Sequence, residues 1–205
     1  MTDVQPGTSE YWDDRYATIG EQNVSWFQIE PSISVELIAA VAPVGSSVVD
    51  VGGGASRLVD ALLAAGYRDL TVVDLSSEAL RASRERVGEA PVTWVVSDIR
   101  EWQPARSFDV WHDRAAYHFL VDPDDQQQYW QLVHDAVGEG GYVVVATFAE
   151  DGPEACSGLP VARYSAEQLL DSMGPGFELL ETRHEQHTTP AGGTQSFLWV
   201  LARRA

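Results

Sequence analysis

Asp50, Gly52, Gly53, Gly54 and Asp74 are the residues whose types and spacing most directly suggest chemistry. Glycines let a backbone turn through φ > 0 and approach a bound molecule closely. An acid about 20 residues further on is placed to accept the hydroxyls of a ribose. This combination points to a cofactor containing a nucleoside. A dinucleotide fingerprint would need a third glycine three residues beyond Gly54, where Arg57 stands, and a pyrophosphate is therefore disfavoured. The sequence has no lysine, which excludes a Walker-type phosphate loop and a pyridoxal Schiff base.

Such residues need strands to carry them. Val48-Val49-Asp50-Val51 is a β-branched run suited to a strand buried on both faces of a parallel sheet. Leu58, Leu62, Leu63 and Ala65 recur at helical spacing, Gly66 follows as a stop, and Leu70 to Val73 form a second strand that ends at Asp74. This is a βαβ unit with an acid at its second tip. Pro31 to Ala42 predicts a helix leading into the first strand, and Ser77 to Val87 a polar helix capped at Ser76 or Ser77. Val92 to Val96 predicts a third strand ending in Ser97-Asp98-Ile99, and Ser107 to Trp111 a fourth, with His112 to Leu120 beyond its carboxyl end. Asp122-Pro123-Asp124-Asp125 starts a helix that Gly138 to Gly141 should end, and Tyr142 to Phe148 is a fifth strand. After a loop at 149–163 come a capped helix over Tyr164 to Met173 and two last strands, Phe177 to His184 and Ser196 to Arg203. Strands alternating with helices predict an α/β, Rossmann-like doubly wound sheet, with ligands at the strand ends.

In this order, Asp50-x-Gly52-x-Gly54, Asp74, Ser97-Asp98-Ile99 and Phe108-Asp109-Val110 resemble the class I S-adenosylmethionine-dependent methyltransferases. Tyr11-Trp12-Asp13-x-Arg15-Tyr16 followed by Ser25-Trp26-Phe27 is similar to the branch holding elongation-factor lysine methyltransferases and thiopurine-type small-molecule methyltransferases. The resemblance implies seven main strands in the order 3-2-1-4-5-7-6, the last antiparallel. It implies S-adenosylmethionine as cofactor, held by Trp12, Tyr16, Trp26, Asp50, Gly52, Gly53, Gly54, Asp74, Leu75, Asp98, Ile99 and Arg114. In it Asp98 takes the adenine amino group, and the Ile99 N–H meets a ring nitrogen. A helix N-cap is the plainer role for Asp98. Where the lysine branch has Asp-Lys-Gly, this chain has Asp113-Arg114-Ala115, a departure that bears on the acceptor.

Residues 1–30 are expected to form an N-terminal flap over the cofactor, loose over 1–9, with the aromatic rings of Trp12, Tyr16 and Trp26 facing a sulfonium cation. Residues 149–163 are expected to border the acceptor, in a chain of 205 residues read as one domain. Methyl transfer is an in-line displacement in which alignment dominates, and an acceptor that must lose a proton needs a base. Asp113, His118 and His112 are the first candidates, His187 the second, and Arg114 or Arg163 could bind an acidic substrate group. Histidines are also often plain structural groups. His184, His187 and Cys156 match no zinc spacing, so no metal is expected.

A formal charge of −18 disfavours nucleic acid and anionic membranes as partners, and solubility alone explains it well. One cysteine, no signal peptide and no apolar run near the length of a span predict a cytoplasmic protein. A small-molecule acceptor is expected, because little of the chain lies outside the cofactor fold. The alternatives are methylation of a lysine in a basic protein, a regulatory protein that binds S-adenosylmethionine without turnover, and a nicotinamide oxidoreductase.

Overall fold

The computed structural model describes residues 4–205, so part of the expected loose end, residues 1–3, lies outside the described residues. The first helix, α1 (Ser9–Ile19), starts where Thr8 Oγ1 accepts the Tyr11 N–H at 3.4 Å. α2 (Ser32–Val41) leads into β1 (Ser47–Val51), and α3 (Leu58–Ala64), β2 (Asp69–Asp74), α4 (Ser77–Val87) and β3 (Val92–Val96) follow. β4 (Phe108–Arg114), α5 (Pro123–Ala136) and β5 (Val137–Ala149) complete the parallel half. The short strands β6 (Ala155–Cys156), β7 (Leu159–Pro160) and β8 (Arg163–Tyr164) precede α6 (Ala166–Met173) and the long strands β9 (Phe177–Thr188) and β10 (Thr194–Arg204).

The main sheet runs β3-β2-β1-β4-β5-β10-β9, parallel as far as β5, with β10 antiparallel to both of its neighbours. Counting the seven long strands, this is the order 3-2-1-4-5-7-6 that the resemblance implied. Alternation along each strand splits the core into two layers. Val49, Val51, Trp111, Val143 and Val145 pack toward α5 and α6, and Val48, Val72, Val110, Val144 and Trp199 pack toward α2 and α3. Both faces are covered, and each aliphatic side chain so buried contributes about 1.5–3 kcal/mol.

Several boundaries differ from expectation: β9 and β10 extend beyond 177–184 and 196–203, Tyr164 belongs to β8 and not to α6, and the expected loop at 149–163 holds β6 and β7. β4 continues to Arg114, because Asp50 pairs with His112 and Val51 with Asp113 on one side, while Asp113 pairs with Val145 on the other. His112 and Asp113 are thus strand residues that point into opposite layers. Gly138 to Gly141 do not end α5 in a loop. The helix stops at Ala136 and the chain enters β5 directly, where a Cβ on Gly141 would lie 2.8 Å from Val137 Cγ1. Gly141 relieves crowding at the start of the strand, and Gly140, with φ 77°, turns through the left-handed region. No helix among the described residues is long and apolar enough to cross a membrane.

Candidate functional site

The carboxyl ends of β3, β2, β1 and β4, four neighbours in the sheet, open on one cleft of about 680 Å3. Gly52, Asp74, Leu75, Asp98, Ile99 and Arg114 all border it, and so do Trp12, Tyr16 and Trp26 from the N-terminal segment. Asp50 and Gly53 instead line a smaller adjoining chamber of about 40 Å3, which shares Gly52, Tyr16, Trp26 and Arg114 with the cleft. Gly54 borders neither space; it lies behind the wall.

The glycine turn fits tightly because it lacks side chains. Gly52 has φ 64°, and a Cβ there would sit 2.4 Å from that of Ala116. At Gly54, with φ 43°, a Cβ would press at 2.9 Å on both Asp74 Oδ2 and the Tyr16 hydroxyl. Burial at the strand tip pushes the Asp74 carboxyl up to about 7, with Asp50 and Asp13 adding to the rise and the Ser76 and Gly54 N–H groups opposing it. Its Oδ1 accepts the Ser76 N–H at 2.7 Å. Asp98 is not an N-cap. It closes a turn, accepting the Arg100 N–H at 2.9 Å, and Arg100 Nη2 reaches its Oδ2 at 2.5 Å. That guanidinium holds the Asp98 carboxyl below its usual range.

The N-terminal segment is fastened on three sides. Asp13 Oδ1 accepts from Ser76 Oγ at 2.6 Å and from the Glu78 N–H at 3.1 Å, at the positive end of α4. Tyr11 and Arg15 both donate to the Ser157 carbonyl in the 149–163 loop. Glu21 pairs with Arg57 at 2.9 Å and with Arg86 at 3.0 Å, and Arg86 also holds Asp60 at 2.8 Å. Arg57, which stands where a dinucleotide fold would want glycine, ties the segment down. Trp12 meets Trp26 edge-on at 5.9 Å and Phe119 at 5.2 Å.

The three candidate bases do not border the larger cleft. Asp113, fully buried, accepts the Tyr129 hydroxyl at 2.7 Å and the Ala116 and Tyr117 N–H groups at 3.0 Å. Burial pushes its carboxyl up to about 6 against these bonds. It secures the turn at Ala115, whose φ of 69° is the left-handed conformation that glycine favours. His112 lines the small chamber with both nitrogens engaged, Nδ1 with Asp50 Oδ1 at 2.7 Å and Nε2 with Ser34 Oγ at 3.0 Å. His118 is wholly buried with neither nitrogen paired, and burial beside Arg114 pushes it down to about 3, so it is neutral at pH 7. His187 Nε2 donates to the Ser25 carbonyl at 2.8 Å. His184 points to the opposite face of β9 and is exposed, and no group of His, Cys, Asp or Glu able to hold a metal occurs among the described residues. Arg163 pairs with Glu154 at 3.1 Å, away from the cleft lining.

Sequence reasoning missed part of the wall. Phe119, Leu159 and Pro160 border the cleft on the β4 side, and Glu101 and Asp125 on the β3 side. Leu159 and Pro160 fall within the loop expected beside the acceptor, but nothing in the sequence singles out Asp125, which is brought in by the start of α5.

Residues 48–141 match a family described as a methyltransferase domain. That stretch, just under half of the chain, is similar to a methyltransferase domain. An uncharacterized methyltransferase of Mycobacterium bovis is 32% identical over 114 residues, 55% of this chain, and the match spans 56% of that relative. The chain thus matches little more than half the length of this relative. EEF1A lysine methyltransferase 2 of Danio rerio is 23% identical over 192 residues, covering 85% of this chain and 76% of its own. Among solved structures, 1,6-didemethyltoxoflavin-N1-methyltransferase of Burkholderia thailandensis superposes with a TM-score of 0.71 at 23% identity, over 96% of this chain and 84% of its own. The matched residues include the glycine turn and the cleft acids Asp74, Asp98, Glu101 and Asp125.

Proposed function

We propose that the whole chain is one S-adenosylmethionine-dependent methyltransferase domain, acting in the cytoplasm on a small-molecule acceptor. The observation that carries this reading is the convergence of Gly52, Asp74 and Asp98, from three adjacent strand tips, on one cleft. An adenosyl amino acid fits the donors present. Asp74 suits the ribose hydroxyls, Asp98 with the Ile99 N–H suits the adenine edge, and the turn at Gly52 and Gly53 leaves room for close approach. Asp50 Oδ2 is buried with no partner, an unmet acceptor for the ammonium of the amino-acid end. When bound, the cofactor supplies an electrophilic methyl group on a sulfonium.

The chain itself orients and excludes water. Trp12, Tyr16 and Trp26 roof the cleft with aromatic faces that favour a cation, and the anchors of α1 keep that roof closed. Asp113, His112 and His118 act as positioning residues. Asp113 holds the turn that presses Ala116 on Gly52, His112 orients Asp50, and His118 packs neutral behind Arg114.

A lysine in a basic protein is the second reading, favoured by the charge of −18 and by the likeness to the zebrafish enzyme. Two measurements test the proposal. Calorimetry should show S-adenosylhomocysteine binding where NAD does not; NAD binding in its place refutes it. Labelled cofactor incubated with lysate and fractionated by size should put label in small molecules, and label in macromolecules alone rejects the small acceptor.

A further inference from the structure

The cleft is electrically lopsided. Asp74, Asp98, Glu101 and Asp125 border it toward β3, where Arg100 pairs with Asp98 at 2.5 Å and Asp125 at 3.4 Å, while toward β4 its wall is Trp12, Phe119, Leu159 and Pro160 around one charged group, Arg114, which has no carboxylate paired to it. Arg114 Nη1 donates to the Trp26 carbonyl at 2.8 Å, but Nε and Nη2 are shielded from solvent and have no partner. Buried guanidinium N–H groups are seldom left so, because the loss of water is then uncompensated. Burial pushes this guanidinium down to about 10, so it still carries its charge at pH 7. Glu185, the carboxylate whose charge partly offsets that burial, is already engaged by Gln28 at 2.7 Å and by Trp199 Nε1 at 2.8 Å. The Phe197 ring covers one face of the guanidinium, 4.7 Å away, and fixes its plane. Arg15 on the flap does not border the cleft; its Nη1 donates to the Ser157 carbonyl at 3.3 Å.

In a guanidinium, Nε–H and the adjacent Nη2–H point the same way and form the fork that takes both oxygens of a carboxylate. Resting on the methyltransferase reading above, the geometry points to the β4 end of the cleft as a subsite for a small acceptor with an apolar body and a carboxylate, held by the free edge of Arg114. The Trp12, Phe119, Leu159 and Pro160 walls would enclose its apolar body.

The test is calorimetric titration of 2-naphthoate, and of 2-naphthamide as its uncharged counterpart, into protein saturated with S-adenosylhomocysteine. Naphthoate is expected to bind about tenfold or more tightly than the amide. Arg114→Gln should remove that preference, and Arg114→Lys, which keeps the charge but not the fork, should restore only part of it. Melting curves would establish that both variants fold. Equal binding of acid and amide overturns the inference, as does exclusion of naphthoate by saturating S-adenosylhomocysteine, which would assign the Arg114 edge to the cofactor's own carboxylate. If the wild-type protein does not take up S-adenosylhomocysteine at all, the cofactor reading fails instead, and the two failures are distinct.

Discussion

Asp74 carries the most informative side chain in the proposed site. A carboxylate there accepts ribose hydroxyls better than a protonated acid, so cofactor affinity should strengthen as pH rises through about 7. Asp74→Ala should weaken S-adenosylhomocysteine about ten- to hundredfold by calorimetry, and Asp74→Asn should flatten the pH profile. The same raised acidity affects folding. With Asp74 near 7 and Asp113 near 6, the folded protein keeps protons that the unfolded chain, with carboxyls near 4, has released. Stability of the ligand-free protein should therefore fall as pH rises from about 4 to about 7, read as the urea midpoint, and Asp74→Asn should lessen the fall. Asp113→Ala strands the Tyr129 hydroxyl and two N–H groups in the core and should lower stability by about 3 kcal/mol in urea unfolding, as expected of a positioning residue.

At the scale of elements, α1 closes the cleft because polar contacts far apart in sequence hold it. Asp13→Ala removes the carboxylate from the start of α4 and should cost about 1 kcal/mol. Hydrogen exchange should then speed up over residues 9–26 and stay slow in β1 and β5; unchanged exchange in α1 would contradict its role as the fastening. These contacts show how far the sequence was legible. The βαβ unit and the tips at Asp74 and Asp98 could be read because local periodicity and glycines mark them, whereas the sheet order came from the family resemblance. The aromatic flap could be read from the density of its rings. What escaped was long-range or set by pairing. Glu21 meets Arg57 and Arg86 only once α1, α3 and α4 are packed, and no local pattern announces that network. His112 and Asp113 looked like loop residues because polar side chains interrupt the apolar run, yet strands on both sides recruit them into β4. Strand alternation then sends His112 toward α2 and Asp113 toward α5, which leaves neither free at the cleft.

For the molecule as a whole, the charge of −18 sets the conditions under which it is stable and which partners approach it. Self-repulsion should make the ligand-free protein more stable in salt, with Tm rising by a few degrees, roughly 3 °C, between about 20 and 300 mM sodium chloride. A falling Tm would mean that ion pairs such as Glu21 with Arg57 and Arg86 outweigh the repulsion. Against that acidic background the cleft joins an acidic end, suited to adenosine, to an apolar end with one cation. The central claim is that four strand tips hold a single adenosyl amino acid. A crystal structure with S-adenosylhomocysteine tests it most directly. The account predicts the ribose on Asp74, the adenine edge between Asp98 and the Ile99 N–H, and the amino-acid end over Gly52 toward Asp50. Density for the adenosine away from β2 and β3, or outside the cleft, would contradict it.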